Sequence, residues 1–440
     1  MKKVNIVIVG GGSTWTPGIL HSLMKNKERL PIGKLVLFDI DKQRQKIIGE
    51  FAKVLFAKKY PELQFSYTTN EEKAYRDVDY VFCQMRTGGY QMREKDEKVP
   101  MEYDVIGQET CGPGGFAYGL RSIRDMEHMV RKVREYSPAA WIINYTNPAA
   151  IVAEALNKIF PEDKRIINIC DQPENLMKSY AKILNYNGKF EPIYFGLNHF
   201  GWFTNLYDEK GKDRVPELKE IITKNGFLPA DYEQRDESWL DTYKMVQDML
   251  IDYPDFLPNT YLQYYLYPEY KFSKLNPHFT RANEVQAGRE KRVFAECKKI
   301  AEDKNLDNMT IVHNDAHGNM IVNIACSIEY NLNETFIVIV PNRGLITNVS
   351  PNAMVEVAAK VGKNGPHPFS VGEIPIFYKG LVEQQYAFEA LTVEAYLENS
   401  YTKALMALTL NRTVVDGKKA RKILNRLISE NTEYWMELME

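Results

Sequence analysis

The sequence has almost no charge bias: 56 Lys and Arg face 58 Asp and Glu, for a net charge of -2. A nucleic-acid or anionic-membrane partner needs a clustered basic surface, and this balance offers none. Long apolar runs are missing too. No stretch reaches the ~18 residues of a membrane span. The N-terminal MKKVNIVIVGGGST starts like an export signal but is interrupted by Asn5 and stops at three glycines. Cysteine is sparse and odd in number, with Cys83, Cys111, Cys170, Cys297 and Cys326 widely scattered. That argues against a disulfide framework and for reduced thiols in a cytoplasmic protein. Internal repeats, low-complexity tracts and obvious flexible linkers are also absent.

What is present is an ordinary globular balance, 44% hydrophobic and 26% charged. At 440 residues the chain exceeds the usual single core, so a large α/β unit with an appended domain is expected. Short apolar, β-branched runs at 4–9, 35–40, 63–68, 78–84, 141–145, 165–170 and 192–197 read as strands. Between them, 16–25, 42–60, 121–136, 149–159 and 174–185 read as helices, with Thr16 as N-cap and Pro17 at N1 of the first. This alternation predicts a Rossmann-like, doubly wound parallel sheet. Beyond about residue 200 the pattern loosens, although 281–302 and most of 384–440 read as helical, with a break near Val415–Gly417. The expected division is a nucleotide-binding domain over 1–200 and a mixed, mostly helical domain over 201–440, the latter for substrate binding and oligomerisation.

Gly10, Gly11 and Gly12, with Ser13 after them, stand between the first strand and first helix. There a tight turn lets backbone N–H groups approach a pyrophosphate. The third glycine of G-x-G-x-x-G is replaced by Trp15. Asp39 ends the second strand, somewhat further on than the usual ~20 residues, where a carboxylate takes adenosine ribose hydroxyls. The bland alternative is a plain turn. Placement as the first strand–turn–helix of a doubly wound sheet favours NAD, and Asp39 would repel the 2'-phosphate of NADP.

A second signal is CDQP (170–173), at the end of an apolar run. Cys170 and Asp171 are expected at the carboxyl end of a parallel strand, where open α/β sheets bind ligands. The next strand runs into LNHFGW and brings His199 to a comparable level. A thiolate and an imidazole from neighbouring strand ends can share one divalent ion, with Asp171 facing a substrate as an acid. Each residue alone has another reading: a buried thiol, a helix N-cap, a core histidine. His313 and His317 have i,i+4 spacing but lack the glutamate of a metalloprotease motif.

GGGST, GQETCGPGG (107–115), NYTNPAA (144–150), CDQP, GLNHFGW (196–202), PNTY (258–261) and TRANE (280–284) occur in order. Together they resemble the NAD- and metal-dependent enzymes of glycoside hydrolase family 4 over essentially the whole chain, and the Cys-Asp-x-Pro form resembles the 6-phospho-α-glucosidases among them. The resemblance implies hydrolysis of 6-phospho-α-glucosides such as maltose 6'-phosphate by a route outside the usual two-carboxylate scheme. NAD⁺ oxidises C3 of the glucosyl ring, which makes the C2 proton acidic. A divalent ion, Mn²⁺ by resemblance, is held by Cys170 and His199. Tyr261 matches the base for C2, Asp171 the acid for O1, and Glu109 a residue that raises the base's effectiveness. Arg93, Asn147 and Arg281 match substrate-binding positions. Homodimers or homotetramers are implied as well. Two rivals remain on the residues: an NAD-dependent 2-hydroxy-acid dehydrogenase of the lactate/malate type, and a sugar-phosphate sensor with a decayed catalytic site.

Overall fold

A computed structural model describes residues 2–234, 237–307, 309–310 and 316–439. His313 and the side chain of His317 lie outside the described residues.

Six strands form the parallel heart of the fold: β1 (Val4–Val9), β2 (Ile32–Phe38), β3 (Gln64–Thr68), β4 (Tyr80–Cys83), β5 (Trp141–Asn144) and β6 (Ile166–Asn168). Their order across the sheet is β3-β2-β1-β4-β5-β6. This is the dinucleotide-binding order, with its reversal point between β1 and β4. Helices cover both faces, so the central strands are apolar almost throughout; in β1 only Asn5 is not buried. Three later strands extend the same sheet: β10 (Glu334–Pro341), β11 (Met354–Gly362) and β12 (Gly365–Pro368). β10 pairs antiparallel to β6, and β11 and β12 continue antiparallel.

The strand expected near 192–197 does not join this sheet. β7 (Glu191–Leu197) turns back at once on β8 (Phe200–Tyr207), and both form a three-stranded antiparallel sheet with β9 (Leu257–Pro258). A two-residue hairpin, Asn198-His199, replaces the helical crossover that a parallel neighbour would need. His199 takes the left-handed conformation at φ 61°.

Two helix starts also differ from expectation. Thr16 is the first residue of the helix Thr16–Lys25, preceded by Trp15 at the cap, and its hydroxyl receives the Gln84 amide at 2.9 Å. The helix expected from 121 begins at Gly112 and runs to Tyr136. Its GPGG start is a poor helix former, and burial of the whole first turn overrides the propensity. The 281–302 segment is helical but not uniform: Arg281–Val285, a π-turn at Gln286–Glu290, then Lys291–Asp303. Helices Ile376–Glu398, Tyr401–Leu410 and Gly417–Glu430 complete the chain.

Candidate active site

A cavity of ≈ 1230 Å³ opens along the carboxyl ends of β1, β4, β5 and β6. Its walls come from both halves of the chain, and it contains Gly10, Ser13, Asp39, Arg93, Glu109, Asn147, Cys170, Asp171, His199, Tyr261 and Arg281. Gly11 and Gly12 do not line it; they pack against β2 and the helix after it.

At the glycine end, Gly10 has φ +80°, and a Cβ there would lie 2.7 Å from the Gln84 carbonyl oxygen. At Gly12 a Cβ would come 2.8 Å from Arg44 Cβ and 2.9 Å from Asp39 Oδ2. This close approach is functional in shape: the Gly12 N–H donates to Asp39 Oδ2 at 2.8 Å, and the Asp41 N–H donates to Oδ1 at 2.9 Å. Burial raises the Asp39 pKa, against those two backbone donors. The glycine turn thus latches the carboxylate at the cavity wall. Ile40 stands beside it, 81% exposed at the cavity rim. These residues fit the adenosine end of a dinucleotide.

At the other end, Cys170 Sγ lies 3.4 Å from His199 Nε2. Thr110 Oγ1 sits 3.2 Å from His199 Nδ1 and orients the ring so that Nε2 faces the thiol. Burial lowers the His199 pKa to about 4, so the imidazole is neutral and can act as a ligand. Burial pushes the Cys170 thiol well up, helped by the Glu356 and Asp171 carboxylates. A bound divalent cation reverses that preference by displacing the proton. Among the described residues no group of three or more His, Cys, Asp or Glu is placed to hold an ion. Two protein ligands with open positions fit an ion that also takes substrate oxygens, not a closed structural site.

Asp171 begins the helix Gln172–Ile183, yet its side chain does not cap it. The carboxylate lines the cavity and accepts from Asn175 Nδ2 at 3.2 Å, so the N-cap reading fails. Tyr261 lies flat on the His199 ring, with centroids 3.9 Å apart and planes 5° from parallel. It is set there by the buried Asn259, whose Oδ1 accepts the Tyr261 N–H at 3.0 Å. Burial holds the Tyr261 hydroxyl well above its ordinary pKa, and Tyr264 and Glu109 add to the effect.

Arginines form the remaining wall. Arg93 is buried, with Nε 2.8 Å from Glu97 Oε1 and Nη1 3.2 Å from Glu109 Oε1. Arg86 also pairs with Glu109. Burial alone would raise the Glu109 carboxyl, but Arg86 and Arg93 outweigh it and bring the pKa to about 2. Arg281 bonds Glu284 at 2.6 Å, and the next residue's N–H donates to Glu97 Oε2 at 2.7 Å, tying this segment to Arg93. Asn147 reaches the cavity while its carbonyl accepts from Ser122 Oγ at 2.8 Å.

Sequence reasoning missed Arg86, Thr110 and Arg289, the last a further arginine lining the same cavity. Thr110 stood inside the GQETCGPGG motif, and Arg86 three residues past a strand end, which was the available signal. Arg289 carried none.

The chain resembles known proteins over its whole length. The family model described as "Family 4 glycosyl hydrolase" matches residues 5–186, and "Family 4 glycosyl hydrolase C-terminal domain" matches 194–414. The chain is 48% identical to a phospho-alpha-glucosidase of Clostridium acetobutylicum, with 100% of both covered. It is 47% identical to a maltose-6'-phosphate glucosidase of the same organism, again with 100% of both covered. It also superimposes on the crystal structure of a 6-phospho-alpha-glucosidase from gut microorganisms in complex with NAD and Mn²⁺. That match has a TM-score of 0.97 and 56% identity, with 100% of each chain covered. With both family models matched in tandem and full-length relatives at this identity, the chain belongs to family 4 of the glycosyl hydrolases.

Proposed function

We propose that this protein is an NAD- and divalent-metal-dependent 6-phospho-α-glucosidase. It hydrolyses substrates such as maltose 6'-phosphate to glucose 6-phosphate and the aglycone. The observation that carries the reading is the Cys170–His199 pair, with Tyr261 stacked on the imidazole and Asp171 beside it, in one cavity with Gly10 and Asp39. When bound, NAD supplies reversible oxidation at C3 of the sugar, and the metal ion, Mn²⁺ in the solved relative, supplies Lewis acidity at the C2 and C3 oxygens.

The chain's residues do the rest. Gly10, Gly11, Gly12 and Ser13 would shape the pyrophosphate turn, and Asp39 would take the ribose. Cys170 and His199 would hold the ion. Arg93, Asn147 and Arg281 orient the phosphorylated sugar, with arginine forks suited to phosphate oxygens. Tyr261 removes the C2 proton. Its buried hydroxyl has a raised pKa, so it becomes a base only beside a cation, and its stack on His199 puts it there. Asp171 gives its proton to O1 as the aglycone departs, and water then adds to the unsaturated sugar. Glu109 holds negative charge behind the base.

The dehydrogenase reading is weaker, because an Asp–His relay needs a carboxylate on the imidazole and His199 Nδ1 meets the Thr110 hydroxyl. A decayed sensor is disfavoured by the full set of chemical groups at one site. Residues 1–200 supply the nucleotide end and 201–440 complete the sugar end. All five cysteines are free thiols, which suits the cytoplasm. Association into a homodimer or homotetramer is expected, and sedimentation would measure it. The direct test of function is 4-nitrophenyl α-glucoside 6-phosphate with NAD⁺ and Mn²⁺. Turnover should vanish with chelator, and should fail for the unphosphorylated sugar and for the β-anomer of the phosphorylated glucoside. Net NADH release with malate or lactate would favour the dehydrogenase instead.

A further inference from the structure

Six arginines line the cavity, and carboxylates already neutralise five: Arg44 holds Glu290 and Arg124 holds Asp125. Arg86 and Arg93 share Glu109, Arg93 also holds Glu97, and Arg281 holds Glu284. Arg289 is different. Its guanidinium lies 4.3 Å over the Trp15 ring, and its Nη2 donates to the Tyr90 hydroxyl at 3.0 Å. Neither partner is a carboxylate, and burial alone would raise the Tyr90 hydroxyl, but Arg289, Arg86 and Arg93 outweigh it and draw it below its ordinary range. The adjacent carboxylate of Glu290 is turned away to Arg44 at 2.8 Å. Among the described residues Arg289 makes no ion pair, and its buried Nε has no hydrogen-bond partner. The charges that act on it most, after Tyr90, are the like charges of Arg93 and Arg281.

A guanidinium stays charged at any accessible pH, and a largely desolvated one without a counter-ion is costly. The site is therefore short of one anion. It is rigid as well: the π-turn Gln286–Glu290 projects Arg289 over the start of the first helix, and the flat Trp15 face fixes the plane of the fork. Free N–H groups in a fixed plane match two oxygens of a phosphate group.

We propose that Arg289, steadied by Trp15 and Tyr90, is a phosphate-oxyanion contact of this cavity, a cation there whose counter-charge is brought by the ligand. This rests on the reading that a dinucleotide and a phosphorylated sugar bind here. Both carry that oxyanion: Trp15 places Arg289 beside the glycine turn, and Arg93 and Arg281 place it beside the sugar phosphate.

Calorimetry on the full chain separates the sources, with NAD⁺ and glucose 6-phosphate as charged probes and glucose as the uncharged control. Arg289→Gln should weaken one phosphorylated probe by roughly tenfold to a hundredfold. Arg289→Lys should recover part of that loss, and glucose should be unaffected. Loss confined to glucose 6-phosphate assigns the contact to the sugar phosphate; loss confined to NAD⁺ assigns it to the pyrophosphate. Tyr90→Phe, which removes only a hydroxyl, should show a smaller loss with the same probe and guards against a folding defect in the arginine variant. If neither probe weakens, or if glucose weakens as much as glucose 6-phosphate, Arg289 is a packing residue and the proposal is wrong. A parent protein inactive on 4-nitrophenyl α-glucoside 6-phosphate would sink the functional reading, while the NAD⁺ arm would still test Arg289.

Discussion

Asp171 and Tyr261 flank the Cys170–His199 pair with opposite duties, and single substitutions separate them. Asp171→Asn keeps the side chain's size and hydrogen-bonding shape but removes the transferable proton. Maltose 6'-phosphate has a poor leaving group and should slow by about 10²–10⁴. A 4-nitrophenyl group departs as a stable phenolate and should suffer far less. Tyr261→Phe should slow both substrates alike, because C2 deprotonation precedes departure of either group. Steady-state rates on the two substrates decide the matter, and equal losses in Asp171→Asn would make that residue a shaper of the metal site.

Among the elements, the turn after β1 and the β7–β8 hairpin carry the two ends of the cavity, and they were unequally legible. The glycine turn could be read because strand, turn and helix are contiguous, and Asp39 follows on the next strand. Cys170 and Asp171 could be placed because β6 is a local apolar run ending beside them. The hairpin could not. The apolar stretch 191–197 looks like one more parallel strand, and its antiparallel return depends on His199 accepting φ 61° where glycine or asparagine would be the usual signal. The partners of β10–β12 are also set by contacts far away in sequence. Arg289 escaped for a related reason, since nothing local marks a helical arginine that will lie over Trp15. The glycine turn also yields a prediction. Gly10→Ala must hold φ +80° with its Cβ 2.7 Å from the Gln84 carbonyl oxygen. Strain at such a position costs about 1–3 kcal/mol. Thermal melting should show that loss together with weaker NAD⁺ binding, and an unchanged melt would mean that the turn relaxes freely.

At the scale of the molecule, buried carboxyls link stability to pH. Burial raises the Glu389 pKa to about 8, and Gln385 Nε2 donates to its Oε1 at 2.8 Å. Its folded value lies above the unfolded one, so its contribution is full below the ordinary glutamate range and is lost as pH rises through about 8. The melting temperature should therefore fall from pH 5 to pH 9, by an effect on the order of a few kcal/mol. Burial raises Glu356 to about 8 as well, so Glu389→Gln should lessen the slope without removing it; the same slope in that variant would place the linkage elsewhere.

The whole account depends on a proton leaving C2 while the glycosidic bond breaks and the sugar returns to its starting oxidation level. Turnover of 4-nitrophenyl α-glucoside 6-phosphate in D₂O with NAD⁺ and Mn²⁺, followed by NMR of the glucose 6-phosphate formed, tests this most directly. The account predicts deuterium at C2 of the product with no stoichiometric NADH. Product carrying only protium at C2 would contradict it, because the bond would then have been broken without Tyr261 acting as a base.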